Sequence, residues 1–192
     1  MIAESAAPVF LVIFFGVAVV GLLWLIGTYN GLIRLRNHCQ ESWADIDTEL
    51  KRRHNLIPNL VSTVKGYAAH ERATLESVIA ARERAEAHHD RVKDQAIDES
   101  SLVREVGHLF ALAENYPELK ADRNFLQLQQ ELVNTEDRIQ AARRFYNANV
   151  RDLKNRIEMF PSSLVAGGMN LGQWDYFEIA DLAIRQAPQV DL

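Results

Sequence analysis

Residues 5–33, between Glu4 and Arg34, contain no charged side chain, and the long stretch that follows is densely charged. Within that stretch, the run from Pro8 through Phe14, Phe15 and Trp24 to Gly27 is almost wholly apolar. A helix of about 20 residues spans roughly 30 Å, the thickness of a bilayer's hydrocarbon core. The run therefore predicts a membrane anchor at 7–31, preceded by a short tail at 1–6. A cleaved signal peptide fits less well: the first residues offer no Lys or Arg, and Gly27-Thr28-Tyr29-Asn30 is a weak cleavage site.

The flanks give an orientation. Arg34 and Arg36 follow the run, with Lys51, Arg52 and Arg53 beyond, whereas the N-terminal tail has no cation. By the positive-inside rule, the N-terminus is expected outside and the bulk of the chain in the cytoplasm, as a single-pass membrane protein. Pro8, Phe14 and Phe15 belong to the anchor, and Trp24 and Tyr29 suit the aromatic belt at its cytoplasmic end. The single cysteine, Cys39, cannot form an intrachain disulfide, in keeping with a reducing compartment.

From residue 32 to 160 Gly and Pro are scarce, and Leu, Ala, Glu, Arg and Gln dominate. That composition favours helix, and no alternating strand pattern or hairpin turn is present. Apolar positions recur at spacings of three and four through Cys39, Trp43, Ile46, Leu50, Ile57, Val61 and Val64. This predicts a helix from about Leu32 towards Ala87, with breaks near Arg53-His54 and Glu71. Pro58 predicts a kink near Asn55, or a new helix capped by Asn55. The polar stretch 88–100 reads as a connection, followed by a helix from about Glu99 to Tyr116 that Pro117 ends or succeeds. A last long helix is expected over about Lys120 to Phe160, with Asp122 as its cap and Phe125, Leu128, Leu132, Ile139, Tyr146 and Leu153 on its seam. Residues 161–192, with the aromatic cluster Trp174, Tyr176 and Phe177 and the apolar Leu182 and Ile184, read as a loop and a short helix. The fold class is thus all-α: a transmembrane helix, then an elongated antiparallel bundle of long, coiled-coil-like helices over 32–160.

Chemistry is sparse. His70-Glu71-Arg72-Ala73-Thr74 lacks the second histidine of a zinc-protease helix, and His88-His89-Asp90 reads as a solvated loop. There is no phosphate-binding glycine loop and no nucleophile elbow, so no catalytic residue, cofactor or metal is assigned, and no enzyme activity is expected. A net charge of −5 argues against a generic nucleic-acid binder. Trp43, Ile46, Leu50, Ile57, Phe125, Leu128, Leu132, Tyr146, Trp174 and Phe177 are candidates for packing within the bundle or for an oligomer seam. Lys51, Arg52 and Arg53 are candidates for contact with lipid or a partner, set against an ordinary cationic helix face paired with Asp47 and Glu49.

Two ordered strings go beyond generic helix. One runs from Tyr29-Asn30 through Trp43-Ala44-Asp45-Ile46-Asp47, Leu50–Val61 and Val64–Ala68. The other includes Tyr116–Ala121, Asn124–Gln129, Thr135–Ile139, Phe145-Tyr146-Asn147 and Phe160-Pro161. Together they resemble the LemA family of bacterial membrane-anchored proteins across nearly the whole chain after residue 28. The resemblance implies an external N-terminus, one membrane helix and a cytoplasmic helical bundle, with no catalytic residues to carry over. A relative in magnetosome-forming bacteria is associated with membrane invagination, which implies a scaffolding or membrane-shaping role. Two functions follow as expectations: a self-assembling scaffold in contact with membrane lipids, or an adaptor that recruits another membrane protein.

Overall fold

The computed structural model describes residues 6–179, with side chains from Phe10 onward. Pro8 as an anchor side chain, the first residues of the N-terminal tail, and Leu182 and Ile184 lie outside these. Six helices follow one another: α1 (Ala6–Tyr67), α2 (Arg72–Glu86), α3 (Val92–Ala113), α4 (Pro117–Lys120), α5 (Arg123–Glu158) and α6 (Ser162–Ala166). No strand occurs among the described residues. The class is all-α, a long N-terminal apolar helix packing with other helices in an antiparallel bundle.

Two compact units are present. The first comprises the chain up to Gln40 together with Asn149–Gln173, and the second comprises Glu41–Ala148 and the chain from Trp174. In the first unit, α1 is wholly uncovered from Phe10 to Gly27, and its burial begins at Thr28 and Leu32. There Asn149 Nδ2 on α5 donates to the His38 carbonyl of α1 at 3.2 Å. Gly172 takes φ 80°, a left-handed conformation that an L side chain rarely adopts, which accounts for glycine at that turn.

In the second unit, α1 and α5 pair in opposite directions. Trp43 stacks on Tyr146 at 5.4 Å, and further along α1 Glu49 faces Arg138 at 3.7 Å. The core joins Ile57, Leu60 and Val64 of α1, Leu75 and Val78 of α2, Leu102 and Leu109 of α3, Leu119 of α4, and Phe125 and Leu132 of α5. These residues recur at three- and four-residue spacings, which is why one face of each helix is buried.

Helix ends follow local chemistry. Asp122 Oδ1 accepts from the Phe125 N–H at 2.9 Å, capping α5 as its sequence position predicts. Pro117 occupies the first turn of α4, where its missing N–H costs nothing. Arg91 grips Asp94 through Nε and Nη2, both at 3.0 Å, placing a carboxylate in the first turn of α3.

Two boundaries differ from the sequence reading. α3 begins at Val92, so the connection is confined to 87–91 and the polar residues 92–98 are helical. Their stripe is hidden because it buries polar groups, with Gln95 donating to the Ala85 carbonyl at 2.8 Å and Glu99 fully enclosed. α1 also runs unbroken through Arg53-His54 and Pro58, so Asn55 caps no new helix. Proline deprives the carbonyl four residues earlier, His54 O, of its helical donor. Arg82 Nε on α2 supplies that bond at 2.8 Å.

Candidate functional site

The polar centre of the second unit is built from three helices. Position 53 of α1 faces inward, so Arg53 is 4 % exposed and lies between two carboxylates. Its Nη1 donates to Glu99 Oε2 on α3 at 3.0 Å, and its Nη2 pairs with Glu136 of α5. The neighbouring His54, also buried, meets Glu99 Oε1 at 2.8 Å through Nε2. Gln95 Nε2 donates to the same oxygen at 3.0 Å, and Gln140 Nε2 donates to Glu136 Oε1 at 3.3 Å. Glu99 is 0 % exposed, yet both of its oxygens are satisfied.

Charges removed from water cost several kcal/mol each unless paired and hydrogen-bonded, and here each has partners on another helix. The arrangement ties α1, α3 and α5 at one level.

Of the three cations put forward for lipid or partner contact, the structure separates one. Lys51 and Arg52 are exposed, and Lys51 Nζ pairs with Asp47 at 2.6 Å along the helix. Arg53 is turned inward and meets Glu99 and Glu136, which removes it from the contact surface. The apolar spacing of Ile46, Leu50, Ile57 and Leu60 around position 53 was the signal that it faces the core. Glu99 had no such signal, because a carboxylate in a polar stretch reads as solvated.

A second group closes the far side of this unit. Phe177 is fully buried edge-on against Trp43, with ring centres 5.3 Å apart, and Trp43 packs on Tyr146. The backbone around Phe177 is held by α5. Asn147 donates to the Phe177 carbonyl at 3.1 Å and accepts from its N–H at 2.9 Å. Tyr146 Oη donates to the Asp175 carbonyl at 2.9 Å, and Arg143 Nη1 donates to the Ile179 carbonyl at 3.0 Å. The predicted seam residues thus pack within one chain. Ile46, Leu50, Ile57, Phe125, Leu132, Tyr146 and Phe177 are buried, and Trp43, Leu128 and Trp174 are half-buried. Of the Trp174–Phe177 cluster, a candidate from sequence for bundle packing or for an oligomer seam, Phe177 packs on its own chain.

The remaining titratable groups have local roles. His88 and Asp90 are almost fully exposed, but His89 is not part of a solvated loop: its Nε2 meets Asp98 at 2.8 Å, with its side chain 10 % exposed. Burial alone lowers the His89 pKa, but the hydrogen bond to Asp98, the Ala87 carbonyl and the Asp98 charge together raise it above 6.5. Asp122 is held below the ordinary carboxylate range by the Phe125 N–H and by Tyr67 Oη, 3.0 Å away. In the first unit, burial and then the Asp152 charge push the Cys39 thiol up to about 11. Among the described residues no group of three or more His, Cys, Asp or Glu side chains is placed to hold a metal. The first unit also has a hollow of about 490 Å³ beside Ile157, Ala166 and Leu171, with no titratable side chain in its lining.

The described residues form an all-α bundle whose long N-terminal helix carries one stretch long and apolar enough, by length and composition, to be a candidate membrane span. The chain belongs to the LemA family, whose model matches residues 42–192. It is similar to Protein LemA of Metamycoplasma hominis, with 27 % identity over 176 residues covering 90 % of this chain and 80 % of that protein.

Proposed function

We propose that this chain is a non-enzymatic, single-pass scaffold of a bacterial inner membrane that self-assembles and organises or shapes the bilayer, its bundle on the cytoplasmic side. The observation that carries this reading is α1 itself. One unbroken helix holds both an uncovered apolar span, long enough to cross a bilayer, and the core residues Ile46, Leu50 and Ile57. Arg34 and Arg36 after the span support the cytoplasmic placement. Gly16, Ala18 and Gly21 are small residues within the span, which supports close approach of neighbouring anchors.

A second reading, an adaptor that acts as one or two copies on another membrane protein, is favoured by the burial of the seam residues inside a single chain. Such a bundle needs no copy of itself to complete its core. Light scattering on the intact protein in native nanodiscs, with electron microscopy of the same fraction, separates the two. A large closed assembly is the expected result; a monomer or dimer overturns self-assembly in favour of the adaptor.

A further inference from the structure

Within the first unit, α5 runs antiparallel to α1 and ends near where the exposure of the apolar span begins. In the first unit Asn149 sits beside the His38 carbonyl. Antiparallel helical rise then carries α5 about 14 Å to Glu158, level with roughly residue 29 of α1. Burial along α1 agrees: Leu32 and Thr28 are covered, and every position from Gly27 to Phe10 is uncovered. At this level α5 turns into α6, with Ser162 Oγ bonded to the carbonyls of Arg156 and Met159 at 2.7 and 2.9 Å.

The turn held this way presents large apolar side chains outward. Met159 is 60 % exposed, Phe160 78 % and Leu164 72 %. Three such side chains around one turn, with no protein cover, would be unfavourable in water. By the same rise the end of α5 lies near the level of Tyr29, and Trp24 and Tyr29, the aromatic residues at the end of the span, are themselves exposed. The charge nearby is also unlike that of the whole chain. Beyond the span, the first unit carries Arg34, Arg36, Arg151, Lys154 and Arg156 against Asp152 and Glu158, a net +3 in a chain of net −5.

We infer that the α5–α6 turn is a second membrane contact, with Met159, Phe160 and Leu164 seated in the headgroup–acyl boundary of an anionic bilayer beside the anchor. Exposed apolar side chains are carried by both the span and the turn, and the cations of this unit complement acidic headgroups. Helix α5 is then held to the membrane at its own end as well as through α1. The inference rests on the anchor reading above.

The test uses the full chain in vesicles of phosphatidylcholine and phosphatidylglycerol. A polarity-sensitive fluorophore is attached at Phe160→Cys, Leu164→Cys, Val20→Cys or, as a control, at Glu83→Cys, an exposed position on α2. Labelling near pH 7 spares Cys39, which is buried with its thiol pKa at about 11. Quenching is compared between lipid-borne doxyl groups and aqueous iodide. Strong doxyl quenching at 160, 164 and 20, severalfold above that at 83, is the expected result. Iodide quenching at 160 and 164 equal to that at 83, with position 20 quenched by doxyl, overturns the inference and leaves the anchor intact. Protection at 160 and 164 from both quenchers also overturns it, in favour of a second copy of the chain covering the turn. If position 20 itself escapes doxyl quenching, the anchor reading falls and this inference falls with it.

Discussion

Glu99 shows how much one side chain can carry when it is enclosed. Its carboxylate joins Arg53, His54 and Gln95 with no exposure to water, so removing it leaves the Arg53 guanidinium short of a partner in the interior. Breaking a buried pair from one side costs about 3–5 kcal/mol, whereas replacing both ions with apolar residues is often nearly neutral. Glu99→Leu should therefore lower the unfolding free energy by about that amount in denaturant titration, and Arg53→Met combined with Glu99→Leu should recover a substantial part of it. A double variant no more stable than the single one would show that the ions are not coupled. Cys39 gives a test of burial without unfolding. With its pKa at about 11, the thiolate is roughly one part in ten thousand at pH 7, so a maleimide should react slowly in the native protein and quickly in denaturant. His89 adds a pH dependence whose sign follows from its raised pKa. Its pairing with Asp98 contributes fully below the ordinary value of 6.5 and is lost as pH rises through the folded-state value. Asp98→Asn should thus destabilise the protein more in mildly acidic than in alkaline buffer; an equal loss at both would remove the imidazolium from the account.

At the scale of the element, α1 must cross Pro58 without an interior hydrogen bond, and α2 supplies what is missing. Arg82 Nε reaches the His54 carbonyl that proline leaves without its helical donor, while its Nη2 pairs with Glu86 at 2.9 Å. An orphaned buried acceptor costs about 1–3 kcal/mol, so Arg82→Ala should destabilise by that order. Pro58→Ala restores a backbone N–H at the proper position, so Arg82→Ala should cost less in that background. A double-mutant cycle measured by chemical denaturation reads the coupling directly; additive losses would mean that Arg82 acts only through packing. This pairing also marks where the sequence stops being readable. Pro58 announces a missing bond, but nothing in the chain tells that a residue 24 positions later, Arg82, replaces it. The beginning of α3 was hidden for a related reason, since half-buried Gln95 and buried Glu99 meet polar partners on other elements and leave no apolar stripe.

For the molecule as a whole, apolar patterning was enough to place the apolar N-terminal helix, the long helices and most of the core, because the helices and their buried faces depend on neighbours three and four residues away. The α5 cap at Asp122 was equally local and equally legible. The clusters that join distant segments were not: neither the Arg53–Glu99–Glu136 group nor the clasp of Trp43, Tyr146 and Phe177 has a signature in spacing. The clasp has the clearest consequence for the chain's integrity. Phe177 comes from a segment with no helix of its own, yet it is fully buried, and its backbone is held by both atoms of the Asn147 amide. Emptying such a site loses the transfer free energy of the ring and leaves a cavity, together about 3–5 kcal/mol for Phe→Ala. Phe177→Ala should therefore lower the stability of the second unit by that order. Asn147→Ala should free the 174–179 segment while sparing the helices, so hydrogen exchange should rise first at Phe177, whose N–H it holds, and only slightly in α5. If both variants unfold α5 and the segment together, the segment is an integral part of the bundle's cooperative core. If exchange rises in the segment alone, the clasp is a strap laid over a bundle that is complete without it, and the helices of the second unit stand on the core from Ile57 to Leu132.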